Sequence, residues 1–189
     1  MVYFIALFLS ALCCYTAQTL SSKYKKVSIV FEVISVLIPS VIAGIRNEYV
    51  GYDVRLYLNH IFDIACYSSS LIEYISIIKG IYHNIGMGFS VITYLASCIS
   101  NDKHSIYFIA NLLTMTCFYI GTCNNEKYER VFCWIMILFL FYNLSLNLIR
   151  QTCAISILFL ARIYIYKENL IKYLVLCLVA ITKCAILIL

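Results

Sequence analysis

Apolar positions along the chain come in blocks of membrane-crossing length, at 2–20, 27–45, 105–122, 131–148, 150–166 and 170–189, with a shorter block at 85–100. A helix needs about 20 residues to cross the hydrocarbon core of a bilayer. Brief polar clusters, "SSKYKK", "NDKH", "CNNEKYER" and "YKEN", separate several of the blocks. The pattern predicts an all-α, polytopic membrane helical bundle of 6–7 transmembrane helices, with residues 1–189 forming a single membrane domain. Pro39 sits inside the second block and removes one backbone donor, which predicts a kink there.

The longest stretch without a clear span is 46–84. Val54, Tyr57, Leu58, Ile61 and Phe62 recur at helical spacing, and Asp53, Asn59, His60 and Asp63 are read as the opposite face. This predicts an amphipathic helix lying in the membrane interface in the loop after helix two, apolar face toward lipid. Gly51 before Tyr52 and Asp53 predicts a tight turn that presents Asp53 as an N-cap. Residues 64–82 form a weaker, serine-interrupted amphipathic stretch that can dip into the membrane.

Composition supports the lipid setting. The chain is 63% hydrophobic and 12% charged, with a mean hydropathy of +0.92; soluble domains carry about 25% charged residues. No positive residue precedes the first block and no small-residue cleavage site follows it, so 2–20 reads as an uncleaved helix rather than a signal peptide. The net charge of +5 does not form a patch. Lys23, Lys25 and Lys26 read as topogenic lysines facing the cytoplasm, and no basic-aromatic stripe suits nucleic acid. The ten cysteines contain no CxxC pair and read as small fillers among apolar residues. The chain ends on "CAILIL" within an apolar run and reads as a C-terminally truncated fragment of a longer protein.

Charge near hydrocarbon is where chemistry is sought. Arg46 ends the second block, and Arg150 stands beside Gln151 where two blocks meet. A guanidinium is a permanent cation with a planar fork of donors suited to phosphate, so a pair facing one cavity would clamp an anionic head group. The plainer alternative is that both arginines anchor helix ends at the interface. Glu48 and Asp53 are the nearby acids, able to serve as a base or to pair with Arg46 or Arg55. Glu32 lies within two turns of the lysine-rich end and is expected to snorkel or pair with Lys25 or Lys26. Two arrangements of the helices remain open. The preferred one makes a segment re-entrant, or lets 64–82 cross, and so gathers the charged motifs on one face. His60, His83 and His104 lack metal-ligand spacing, and no Walker loop, GxSxG or HExxH occurs.

"AGIRNEYVGYDVRLYLNHIF" and "NLIRQTCAISILFLARIYI" resemble, in order, segments of the EpsG family of bacterial polysaccharide-assembly proteins, relatives of the Wzy O-antigen polymerases. Arg46, Val50, Gly51, Asp53 and Tyr57 match the outer loop, and Ile149, Arg150, Gln151 and Ala154 match the Ile-Arg-Gln-x-x-Ala helix start. "GMGF" resembles a Glu-x-Gly-Phe element, with Gly86 where the acid is expected. "ITKCAIL" stands at the family's Ala-x-x-x-His-x-Ser-Ala element, with Thr182 and Cys184 in place of the histidine and serine. The resemblance covers nearly the whole chain and about half of a typical member.

It implies a multi-pass protein of the bacterial inner (cytoplasmic) membrane that polymerises polyprenyl-diphosphate-linked oligosaccharide units, with other polysaccharide-assembly proteins as further partners and no cofactor. On that resemblance, Asp53, Arg46 and Arg150 are the expected catalytic residues, and Arg55, Tyr57 and Gln151 the expected substrate-binding ones. A transporter or flippase for lipid-linked sugars, or a non-catalytic membrane partner, are the alternatives.

Overall fold

A computed structural model describes residues 2–82, 86–123, 126–166 and 170–184. The described residues form nine helices and no strand. They are α1 (Val2–Leu20), α2 (Lys25–Gly44), α3 (Asn59–Tyr67), α4 (Leu71–Ile81), α5 (Met87–Ile99), α6 (His104–Gly121), α7 (Lys127–Asn147), α8 (Ile149–Tyr166) and α9 (Leu170–Cys184). A π-helical turn, Val54–Leu58, runs directly into α3. Helix positions agree closely with the apolar blocks. Three helical stretches, Val2–Leu20, Lys25–Gly44 and Tyr128–Asn147, are long and apolar enough to cross a membrane. The other described helices are shorter, or more polar along their described length, so the wider count of 6–7 spans rests on the sequence pattern alone.

The α1–α2 hairpin is joined through small polar residues. Ser10 Oγ donates to the Ser35 carbonyl at 2.6 Å, and Ser35 Oγ donates to the Ser10 carbonyl at 3.0 Å. The first bond has a specific cause. Pro39 lies four residues after Ser35 and has no N–H, so the Ser35 carbonyl loses its intrahelical donor. The Ser10 hydroxyl supplies the missing proton from the neighbouring helix, and Trp134 Nε1 of α7 donates in turn to Ser10 Oγ at 3.1 Å. α2 continues as helix through Pro39 to Gly44.

Two apolar clusters share α6. One joins α1, α2, α6 and α7 around Trp134, Phe118 and Met115. The other joins the π turn and α3 to α4, α5 and α6 around Phe62, Tyr74 and Tyr107. The second cluster corrects the interfacial-helix expectation. Val54, Leu58, Ile61 and Phe62 are fully buried against protein, from Phe89 of α5, Ile106 and Ala110 of α6 and Ile149 of α8. The amphipathic face is there, but helices rather than lipid cover it. On its other side Asp63 pairs with Lys103 at 3.1 Å, and His60 Nδ1 meets the Tyr82 hydroxyl at 3.0 Å.

Helix ends fix the layout. His104 Nδ1 lies 2.6 Å from the Gly44 carbonyl, so the chain between α2 and α6 leaves one end of the bundle and returns to it. This is the arrangement in which Arg46 and Arg150 share an end. At the opposite end Glu32 pairs with Arg130 at 3.1 Å, and Gln18 Nε2 lies 3.5 Å from the same carboxylate oxygen. The expected partners Lys25 and Lys26 are exposed. α7 delivers an arginine that no local reading of α2 reveals.

Candidate functional site

Arg46 follows the last turn of α2 and is 4% exposed. Its NH1 donates to the Leu146 carbonyl at 2.7 Å, and its guanidinium lies 4.7 Å from the centroid of the Tyr107 ring. The carbonyls of a helix's last turn have no intrahelical donor and carry the negative end of its dipole. A buried cation at the end of α7 therefore satisfies the helix and is held by it. Nε of Arg46 is buried with no hydrogen-bond partner. Burial pushes the guanidinium below its ordinary value, and the neighbouring Tyr107, Tyr142, Tyr3 and Asp53 oppose that shift.

Gly51 makes the turn that brings the loop under α7. Its φ is +108°, the region where a side chain is strained. A Cβ there would also stand 2.4 Å from the Leu146 carbonyl oxygen. Thus Arg46 and Gly51 both close on one peptide of α7. The predicted tight turn is present, but Asp53 is not a cap. It already has helical φ and ψ and makes no capping bond. It is 7% exposed, so it also leaves the polar face on which the sequence reading put it. The cause is the four-residue spacing to Tyr57, which stacks the two on one side of a helix.

Tyr57 is the bridge to α8. The Arg150 guanidinium lies 4.4 Å from the centroid of its ring. Its hydroxyl lies within reach of both Asp53 and Arg150, although neither approach has the geometry of an ordinary hydrogen bond. Burial drives the phenol's pKa far up, Asp53 adds to the rise and Arg150 opposes it, so Tyr57 stays protonated and its hydroxyl is able to donate a hydrogen bond. Arg150 stands in the first turn of α8, directly after the break at Leu148. The positive end of a helix dipole beside a guanidinium favours an anion.

Arg46, Asp53, Tyr57 and Arg150 thus gather at one end of the bundle, from the α2 end, the π turn and the start of α8. Arg55 faces outward, its Nε donating to the Tyr49 carbonyl. Gln151 is half-buried next to Arg150. Glu48 is exposed, and its carbonyl accepts from Asn59 Nδ2 at 3.4 Å. Sequence reasoning missed Tyr107, whose ring underlies Arg46 and whose hydroxyl bonds Asn59 Oδ1. It is one tyrosine among seventeen, and only tertiary packing singles it out. It also missed the Leu146 carbonyl, which has no sequence signal at all. No cluster of three or more potential metal-ligating side chains occurs among the described residues.

The model of the EpsG family matches residues 29–183. That is most of the chain, including both arginines and the loop between α2 and α6, and the chain belongs to the EpsG family. Its apolar helices and this membership make it a membrane protein of the kind associated with polysaccharide polymerisation. Neither the curated proteins nor the solved structures contain a match.

Proposed function

We propose that the chain takes part in building exopolysaccharide, O-antigen or capsule as a polymerase of polyprenyl-diphosphate-linked oligosaccharide units, working in the bacterial cytoplasmic membrane as a multi-pass protein. The observation that carries this reading is the convergence of Arg46 and Arg150 on one end, around the buried Asp53 and Tyr57. In the reaction, an acceptor sugar hydroxyl attacks the anomeric carbon of a second unit. The bond from that carbon to the diphosphate oxygen breaks, and the diphosphate leaves with the electron pair. Negative charge grows on the leaving group, and preorganised cations in a water-poor setting stabilise such charge strongly. Arg46 and Arg150 hold the diphosphate, Asp53 orients the acceptor hydroxyl and receives its proton, and Tyr57 donates a hydrogen bond. Arg55 and Gln151, at the rim, contact the sugars.

A second reading, a non-catalytic partner of the same assembly machinery, draws on Gly86, Thr182 and Cys184, which replace the acid, histidine and serine of the family pattern. A flippase fits less well, because such sites lie near the bilayer midplane, whereas these arginines lie at helix ends. Arg150→Ala and Asp53→Ala are expected to leave single repeat units that are still exported. Loss of all export would point to transport. Unchanged polymer length in both variants would favour the non-catalytic partner.

A further inference from the structure

The first turn of α6 grips the end of α2 at two points. Gly44 closes α2, and the carbonyls of a helix's last turn have no intrahelical donor. His104 Nδ1 lies 2.6 Å from the Gly44 carbonyl, which only accepts, so this ring nitrogen carries the proton and donates. Three residues on, along the same side of α6, the Tyr107 ring lies against the Arg46 guanidinium, with 4.7 Å from the ring centroid to Cζ. The two α6 rings meet edge to face, their centroids 5.8 Å apart. A Cβ at Gly44 would stand 3.0 Å from Phe108 Cβ, so the glycine lets the two helices come this close.

Arg46 needs such a grip. An arginine side chain carries about 2 kcal/mol of rotamer entropy. The bond from its NH1 to the Leu146 carbonyl at 2.7 Å fixes one nitrogen but not the plane of the group. The face of Tyr107 fixes the plane. Tyr107 is itself 1% exposed, and its hydroxyl donates to Asn59 Oδ1. Asn59 follows the π turn, its N–H closing on the Val54 carbonyl five residues back. Two residues before it, Tyr57 meets the Arg150 guanidinium at 4.4 Å. One stretch of chain therefore reaches both arginines, Arg150 directly through Tyr57 and Arg46 through Asn59 and Tyr107.

We infer that Tyr107 and Asn59, braced by His104, are positioning residues that hold the Arg46 guanidinium in a fixed place relative to Arg150. This rests on the function proposed above and adds residues to that same site. Fixed charge stabilises a transition state strongly because it is preorganised, and a displacement of about 1 Å costs up to roughly 100-fold in rate. Tyr107 acts through Arg46.

The test measures polymer formed per folded chain in cells carrying only the variant. In parallel it measures the rate at which phenylglyoxal modifies Arg46 in the full chain in lipid nanodiscs, read by peptide mass spectrometry against the exposed Arg55. Tyr107→Leu removes the ring; polymer is expected to fall about 30-fold and Arg46 modification to rise about tenfold. Tyr107→Phe keeps the face and loses the bond to Asn59, so Arg46 stays protected and polymer falls about threefold. His104→Ala is expected to lower polymer, and His104→Asn, whose amide offers a donor in place of Nδ1, to restore most of it. Tyr107→Leu combined with Arg46→Ala should match Arg46→Ala alone, because a residue that acts only through Arg46 adds nothing once Arg46 is gone. Losses that multiply would give Tyr107 a role of its own and overturn the inference. So would unchanged Arg46 modification in Tyr107→Leu. Tyr107→Met, which fills the space without a ring face, repeats the test if Tyr107→Leu does not elute as a folded protein. Loss of polymer in Arg46→Ala with wild-type polymer in Tyr107→Leu would sink this inference and leave the proposed function standing. Unchanged polymer in Arg46→Ala would sink both.

Discussion

The two ends of α2 each place an arginine over a tyrosine ring, with different charge accounts around them. At the lysine-rich end, Arg130 lies 4.6 Å from the Tyr119 centroid and is matched by Glu32 at 3.1 Å. One cation meets one anion, and Gln18 and Thr122 bond to the pair. At the other end, Arg46 and Arg150 lie over Tyr107 and Tyr57, with Asp53 as the buried carboxylate between them. A closed ion pair joins helices. Arg46 instead bonds a helix-end carbonyl and keeps a buried Nε without a hydrogen-bond partner, so its surroundings are less completely closed. The same residue types therefore have different uses, and the polar partners of Arg130 and Arg46 separate them better than the arginine–tyrosine contact does.

The largest effect is expected from Arg150→Lys. It keeps the charge but loses the planar fork, and polymer yield should fall roughly 100-fold, measured as chain length and total polysaccharide in cells carrying only the variant. Full activity with lysine would reduce the site to a point charge. Gly51→Ala should come next. Its positive φ and the Leu146 carbonyl together cost about 2–3 kcal/mol, read as a lower midpoint of thermal unfolding in detergent, with polymer lost as Asp53 shifts. An unchanged midpoint would mean that the turn is not held against α7.

Ser10→Ala strips the Ser35 carbonyl and the Trp134 indole of their partner at once. The expected loss is about 2 kcal/mol in stability, with polymer length unaffected in the surviving protein. The smallest effect should come from the ion pair. The side chains of Arg130 and Glu32 are 12% and 28% exposed, and solvent weakens their attraction. Glu32→Gln is expected to cost about 1 kcal/mol, and adding Arg130→Met to recover most of it. If Glu32→Gln instead abolished polymer while sparing stability, the division between a joining end and a working end would be wrong.

The helix pattern was legible because lipid imposes block lengths. Blocks 2–20, 105–122 and 150–166 lie within a residue of α1, α6 and α8 at both ends. The amphipathic stripe Val54–Phe62 was legible too, but not its cover. A stripe reads the same whether lipid or protein lies against it, and α5, α6 and α8 meet it from far along the chain. Of the site, Arg46, Gly51, Asp53 and Arg150 stood out because charge and glycine are scarce in so apolar a chain. Tyr107 and the Leu146 carbonyl did not, since nothing local marks a ring or a peptide as the one an arginine will reach. Arg130 likewise displaced the lysines expected beside Glu32, because a contact across 98 positions outweighed sequence proximity.

The proline in α2 bears on the order in which the chain assembles. A carbonyl stripped of its donor is costly to expose to hydrocarbon, on the order of several kcal/mol. α2 inserted by itself would carry that bare oxygen at position 35. α1 emerges first from the ribosome and already holds the hydroxyl that heals it. The first two helices are therefore driven to enter the bilayer as a pair, and Trp134 then docks α7 onto the repaired joint.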